Sequence, residues 1–145
     1  MKIAIGSDHG GFELKEAIIK HLEKKGHKVF DYGTNSTDSC NYPLYGASVA
    51  KSVMSGESDY GIVICTSGEG ICIAANKIKG VRCGIGYNDE VSKLMRMHND
   101  ANVISFGAKF MATEDVIRRI DLFLSTEFEG GRHQTRVDMI SDLEK

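Results

Sequence analysis

The sequence predicts an α/β protein, a three-layer α/β/α Rossmann-like sandwich around a five-stranded, mostly parallel sheet. Three observations predict it. Five short runs of aliphatic and β-branched residues each close on glycine or a polar turn. The stretches between them carry apolar residues at helical spacing. Strand and helix alternate throughout, and parallel neighbours need a crossover that lays a helix over the sheet.

The first run, Lys2–Gly6 (KIAIG), leads into a helix marked by Leu14, Ala17, Ile18 and Leu22. Lys28–Tyr32 (KVFDY) is the second strand, and Gly33–Leu44, which holds the only proline, reads as a polar loop. Ala47, Ala50 and Val53 mark the next helix, and Tyr60–Cys65 (YGIVIC) the third strand. Ile71, Ala74 and Ala75 then precede Arg82–Gly86 (RCGIG). Val91, Leu94 and Met95 precede Val103–Phe106 (VISF). Thr113-Glu114-Asp115 is a helix start signal ahead of Val116, Ile120 and Phe123. The pair Gly130-Gly131 breaks the chain before a final helix at residues 132–144, with Val137, Ile140 and Leu143 at helical spacing, expected at a subunit interface. One domain, residues 1–145, is indicated.

With 18 Lys+Arg against 20 Asp+Glu, the net charge of −2 recommends neither nucleic acid nor an anionic membrane surface as partner. No signal-peptide core or membrane-length apolar stretch is evident, so a cytoplasmic protein is expected. Cys40, Cys65, Cys72 and Cys83 form neither a CxxC pair nor a metal-type spacing, so free thiols and no metal are expected. The 16 glycines against one proline mark turns where backbone approaches something closely.

Ligands of parallel sheets bind beyond the carboxyl ends of strands, where the winding reverses. The first strand is followed there by Gly6-Ser7-Asp8-His9-Gly10-Gly11, and the third by Cys65-Thr66-Ser67-Gly68-Glu69-Gly70. The second loop is no P-loop, because no Lys-Ser/Thr pair follows its glycines. It is no dinucleotide fingerprint either, since Ile73 stands where a third small residue belongs, nor a phosphatase loop, where Ile71 replaces the arginine. A thiol, two hydroxyls and amides at a helix start remain, able to hold a phosphate or a developing oxyanion. That helix start favours the thiolate of Cys65, and the plainer reading is a small buried hydrophobe ending a core strand. His98 in Met97-His98-Asn99-Asp100 reads as an acid, a ligand or a helix-end cap. Arg132 and Arg136, four apart on one helix face, suit a phosphate or a solvated surface.

Taken together, GSDHGGFELK at 6–15, DYGT at 31–34, NYP at 41–43, ICTSGEGICIAANK at 64–77, RMHNDANV at 96–103 and EGGRHQTRV at 129–137 resemble the ribose/galactose isomerase family, specifically type B ribose-5-phosphate isomerases. The resemblance implies an aldose–ketose isomerase interconverting ribose 5-phosphate and ribulose 5-phosphate. It makes Cys65 the base that moves a proton between C2 and C1, and His98 the acid that opens the sugar ring. Asp8 and His9 become sugar and phosphate contacts, Asn99 a hydroxyl or enediolate contact, and Arg132 and Arg136 a phosphate clamp. Thr66, Ser67, Gly68, Glu69 and Gly70 form the anion-hole loop, Tyr42 lines the sugar pocket, and Lys109 reaches the phosphate.

The family loop usually reads Cys-Gly-Thr-Gly-x-Gly. Here Thr66 adds a Cβ where glycine leaves φ free, and Ser67 becomes the ring-opening hydroxyl. Some members use a glutamate just after the loop as base; Ile71 holds that position, and Glu69 is read as a pocket-edge residue. The amides of Ser67–Gly70 are the expected oxyanion donors. The resemblance implies no cofactor, and a homodimer, or a dimer of dimers, whose sites are each built from both chains. Alternative readings are an isomerase of a six-carbon sugar phosphate and a non-catalytic phosphosugar-binding module.

Overall fold

Ile3, Ala4 and Ile5 are wholly buried in the first strand of the computed structural model, which describes residues 1–145. A strand with no solvent-facing side must lie inside a sheet covered on both faces. The strands are β1 Lys2–Ser7, β2 Lys28–Asp31, β3 Tyr60–Cys65, β4 Cys83–Ile85 and β5 Val103–Gly107. Every neighbouring pair is parallel, in the order β2-β1-β3-β5-β4, so the expected mostly parallel sheet is parallel throughout. The winding reverses between β1 and β3.

The helices are α1 Phe12–Lys24, α2 Tyr42–Met54, α3 Glu69–Asn76, α4 Asp89–Met97, α5 Thr113–Leu124 and α6 Arg132–Asp142. Alternate residues of each strand serve opposite layers. Ile3, Ile62, Ile64, Ile104 and Phe106 pack with Leu14, Ile18 and Leu22 of α1, Met95 of α4, and Val116, Ile120 and Phe123 of α5. Ala4, Val63 and Cys65 face the other way, onto Val49 and Ala50 of α2 and Ile71 and Ala75 of α3. No helix is long and apolar enough to cross a membrane.

The expected loop at Gly33–Leu44 is shorter than the sequence suggests, because α2 begins at Tyr42 and takes Pro43 into its first turn. Proline fits there: its ring presets a helical φ, and the N–H it lacks would have had no partner in the first turn. Tyr42 is therefore a helical residue. The final helix stops at Asp142 and buries only Val137, leaving Met139, Ile140 and Leu143 exposed.

Lys15 is fully buried in α1, where its ammonium meets both carboxylate oxygens of Asp31 at 2.9 Å and Glu16 at 3.0 Å. Asp31 also accepts the Gly33 amide at 2.9 Å, which ties α1 to the end of β2 beside the crevice.

Candidate active site

The β1 and β3 loops meet at the reversal point. Asp8 is buried, its amide donates to the Ile64 carbonyl at 3.2 Å, and its Oδ1 accepts the Gly10 amide at 2.9 Å to start the short turn His9–Gly11. The Thr66 hydroxyl lies against Gly10, leaving no room there for a Cβ. His9 is half-buried beside them. Its Nδ1 accepts the Cys40 amide at 3.2 Å, a partner absent from the motifs that singled out His9. Since Cys40 donates N–H, the Nδ1 of His9 is the unprotonated nitrogen and Nε2 is left to donate.

Cys65 ends β3 with its side chain 5% exposed, and the Gly68 amide donates to its sulfur across 3.1 Å. Gly68 holds φ at +82°, which turns the chain back over the thiol into α3. The Ser67 hydroxyl accepts the Glu69 amide at 3.1 Å, so two of the four expected oxyanion donors are already engaged. The amides of Ser67 and Gly70 remain without a partner in the chain. Thr66 stays out of the left-handed region, since Asp100 is the one non-glycine residue with positive φ. The loop thus accepts a Cβ at Thr66. Glu69 is exposed, and the Tyr42 ring covers Gly70 so closely that a Cβ there would meet its hydroxyl at 2.9 Å. Lys109 belongs to the same end of the sheet, its amide donating to the Thr66 carbonyl at 3.1 Å.

His98, Asn99, Arg132 and Arg136 gather elsewhere, with Asn99 also lining a second cavity that reaches Ser67 and Glu69. They line a cavity of about 340 Å³ together with His133 and Val137. His98 caps the C-terminal end of α4, ahead of β5, whereas Cys65 pairs with Gly107 at the far end of β5. The five residues of that strand span about 13 Å between first and last Cα, so the two groups sit at opposite ends of the sheet. Lys109 and His9 therefore lie on the Cys65 side, apart from the two arginines of the same chain.

His133, which the sequence reading passes over, stacks on His98 with ring centroids 4.3 Å apart and an interplanar angle of 11°. The signal available in the sequence was its place beside Arg132. Partial desolvation, with the charges of His98 and Arg132, holds the His133 imidazole below its usual 6.5. His98 Nε2 stands 3.6 Å from Glu129 Oε1, so His98, Glu129 and His133 form a cluster of possible metal ligands that no spacing in the sequence announces. All four cysteines are free. The Cys72 thiol donates to the Cys83 carbonyl at 3.4 Å, on the wall of a cavity that Ser67 and Glu69 also line.

A buried thiol under helix-start amides, with an arginine-rich pocket at the other end of the sheet, is the equipment of an enzyme that handles a small anion. The chain belongs to the ribose/galactose isomerase family, whose profile matches residues 3–140. It is 44% identical over 144 residues to ribose-5-phosphate isomerase B of Escherichia coli, covering 99% of this chain and 97% of that one. A solved ribose-5-phosphate isomerase B of Clostridium thermocellum superposes with a TM-score of 0.98 at 46% identity, covering 99% and 97% of the two chains. The enzyme of Mycoplasma genitalium, solved with bound ribulose 5-phosphate, superposes with a TM-score of 0.94 at 41% identity, over 99% and 95%.

Proposed function

We propose that this chain is a cytoplasmic aldose–ketose isomerase that interconverts ribose 5-phosphate and ribulose 5-phosphate by proton transfer through an enediol(ate). The observation that carries this reading is the Cys65 sulfur at the switch-point crevice, accepting the Gly68 amide at 3.1 Å beside two unpartnered amides. The family relatives with this activity support it.

In the proposed mechanism the phosphate is held by Arg132 and Arg136, whose forked guanidinium groups match its oxygens. His98 and the Ser67 hydroxyl move the protons that open the sugar ring. Cys65 then removes the proton from C2 while negative charge builds on the carbonyl oxygen. Preorganised N–H donors aimed at that oxygen lower the barrier, a role open to Ser67 and Gly70. The same thiol returns the proton to C1 from the same face of the planar intermediate. Because Cys65 and His98 occupy opposite ends of one sheet, the reading requires a homodimer in which each site takes Cys65 from one chain and His98 with the arginines from its partner.

Turnover in heavy water tests the chemistry. Solvent deuterium appears at C1 or C2 of the product if a thiolate shuttles the proton. A protein that binds ribose 5-phosphate without any such incorporation is a binding module, and the reading fails.

A further inference from the structure

The ligand atoms of His98, Glu129 and His133 all lie within 4.8 Å of one another. They come from three stretches of chain: the C-terminal end of α4, the segment after α5, and the first turn of α6. Backbone geometry fixes the meeting, because the Glu129 amide donates to the Met97 carbonyl at 3.1 Å and so seats the carboxylate beside His98. Two imidazoles and one carboxylate, with a fourth position open, form the donor set of many tetrahedral zinc sites. We propose that His98, Glu129 and His133 bind a zinc-class divalent cation, and that the bound cation inhibits the enzyme by occupying the pocket of Arg132 and Arg136. The inhibitory half of this proposal rests on reading that pocket as the phosphate end of the site.

Metal bonds of about 2.0–2.1 Å place tetrahedral donors about 3.4 Å apart. The three atoms, at most 4.8 Å apart, therefore need to close by no more than about 1.4 Å. The two rings, now stacked nearly parallel, must tilt so that their lone pairs converge. Nothing rigid opposes this: both histidines are only half-buried, Glu129 is exposed, and Gly130 and Gly131 lead into α6. Metal binds the unprotonated imidazole. The two arginines oppose a cation, so the site is a weak, reversible one rather than the seat of a resident metal. A cation on His98 also withdraws the imidazole that ring opening needs.

The test has two readouts. Zn²⁺ added to metal-free enzyme is expected to inhibit competitively with ribose 5-phosphate, with full recovery in EDTA. Glu129→Gln, an exposed and conservative change, is expected to weaken inhibition about tenfold or more. Independently of turnover, Co²⁺ titration is expected to give visible ligand-field bands without a thiolate charge-transfer band, and inorganic phosphate is expected to displace the ion. A thiolate band, or Glu129→Gln inhibited as strongly as the parent, overturns the proposal. If the isomerase reading itself fails, the cobalt spectrum and its competition by phosphate still decide whether the cation site exists.

Discussion

The amide of Gly68 donates to the sulfur of Cys65 across 3.1 Å, within a loop that only a glycine at position 68 can form. The bond joins the last residue of β3 to the residue before α3, so the thiol is positioned by the turn that supplies its neighbouring amides. It also makes the Cys65 sulfur a hydrogen-bond acceptor in the resting protein.

Cys65→Ala is expected to lower kcat roughly 10²–10⁴-fold while ribose 5-phosphate still binds. Isothermal titration measures the binding, and turnover the loss. Near-parental turnover would remove Cys65 from the chemistry. Cys72→Ala and Cys83→Ala are expected to stay active.

Gly68→Ala should be costlier than its size suggests. A Cβ there meets the Phe106 carbonyl carbon at 2.8 Å and the Gly107 amide nitrogen at 2.9 Å, at a φ of +82°. Gly26→Ala has a similar φ of +89° with nothing within 4 Å, and isolates the backbone strain, about 1–2 kcal/mol. Thermal melts of the two variants should differ, with Gly68→Ala the less stable and nearly inactive.

Arg136→Lys is expected to raise KM roughly tenfold or more while kcat falls little, because a lysine keeps the charge and loses the fork. Equal falls in kcat and kcat/KM would assign the arginine to the transition state instead.

Asp31→Ala strands the ammonium of Lys15, which is wholly buried, with Glu16 alone to meet it. Breaking a buried pair costs about 3–5 kcal/mol; the remaining partner brings the expected loss to about 2–3 kcal/mol, read from urea unfolding. A variant that melts with the parent would show that Glu16 suffices.

Cys65→Ala and His98→Ala, each inactive alone, are expected to complement when unfolded together and refolded. Half of random pairs are mixed and each has one intact site, giving roughly a quarter of parental activity. Sites contained within one chain would restore none.

The strands and most helix faces were legible in the sequence because each carries its own period: alternating layers in Ile3–Ile5 and Ile62–Ile64, helical spacing in Val116, Ile120 and Phe123. Pro43 misled, since the same ring ends helices and begins them, and here it stands in the first turn of α2. The crevice loops could be read because strand-end glycines and a thiol are local features. The pocket at the other end could be read only in part. Arg132 and Arg136 declare themselves by spacing, but His133 and Glu129 gain their meaning from His98, more than thirty residues away in the chain, and no local pattern reports that meeting.

The placement of Cys65 and His98 at opposite ends of β5 has a consequence for how such a catalyst responds to dilution. Under the proposed shared-site reading, a lone chain carries both groups without bringing them together, so specific activity is expected to track the fraction of chains that have met a partner rather than the fraction that are folded. Turnover per chain should then fall on dilution at constant circular dichroism, and a substitution on the exposed Met139 or Ile140 of α6, or on Leu143 just past it, is expected to silence the enzyme without touching a single group that handles the sugar.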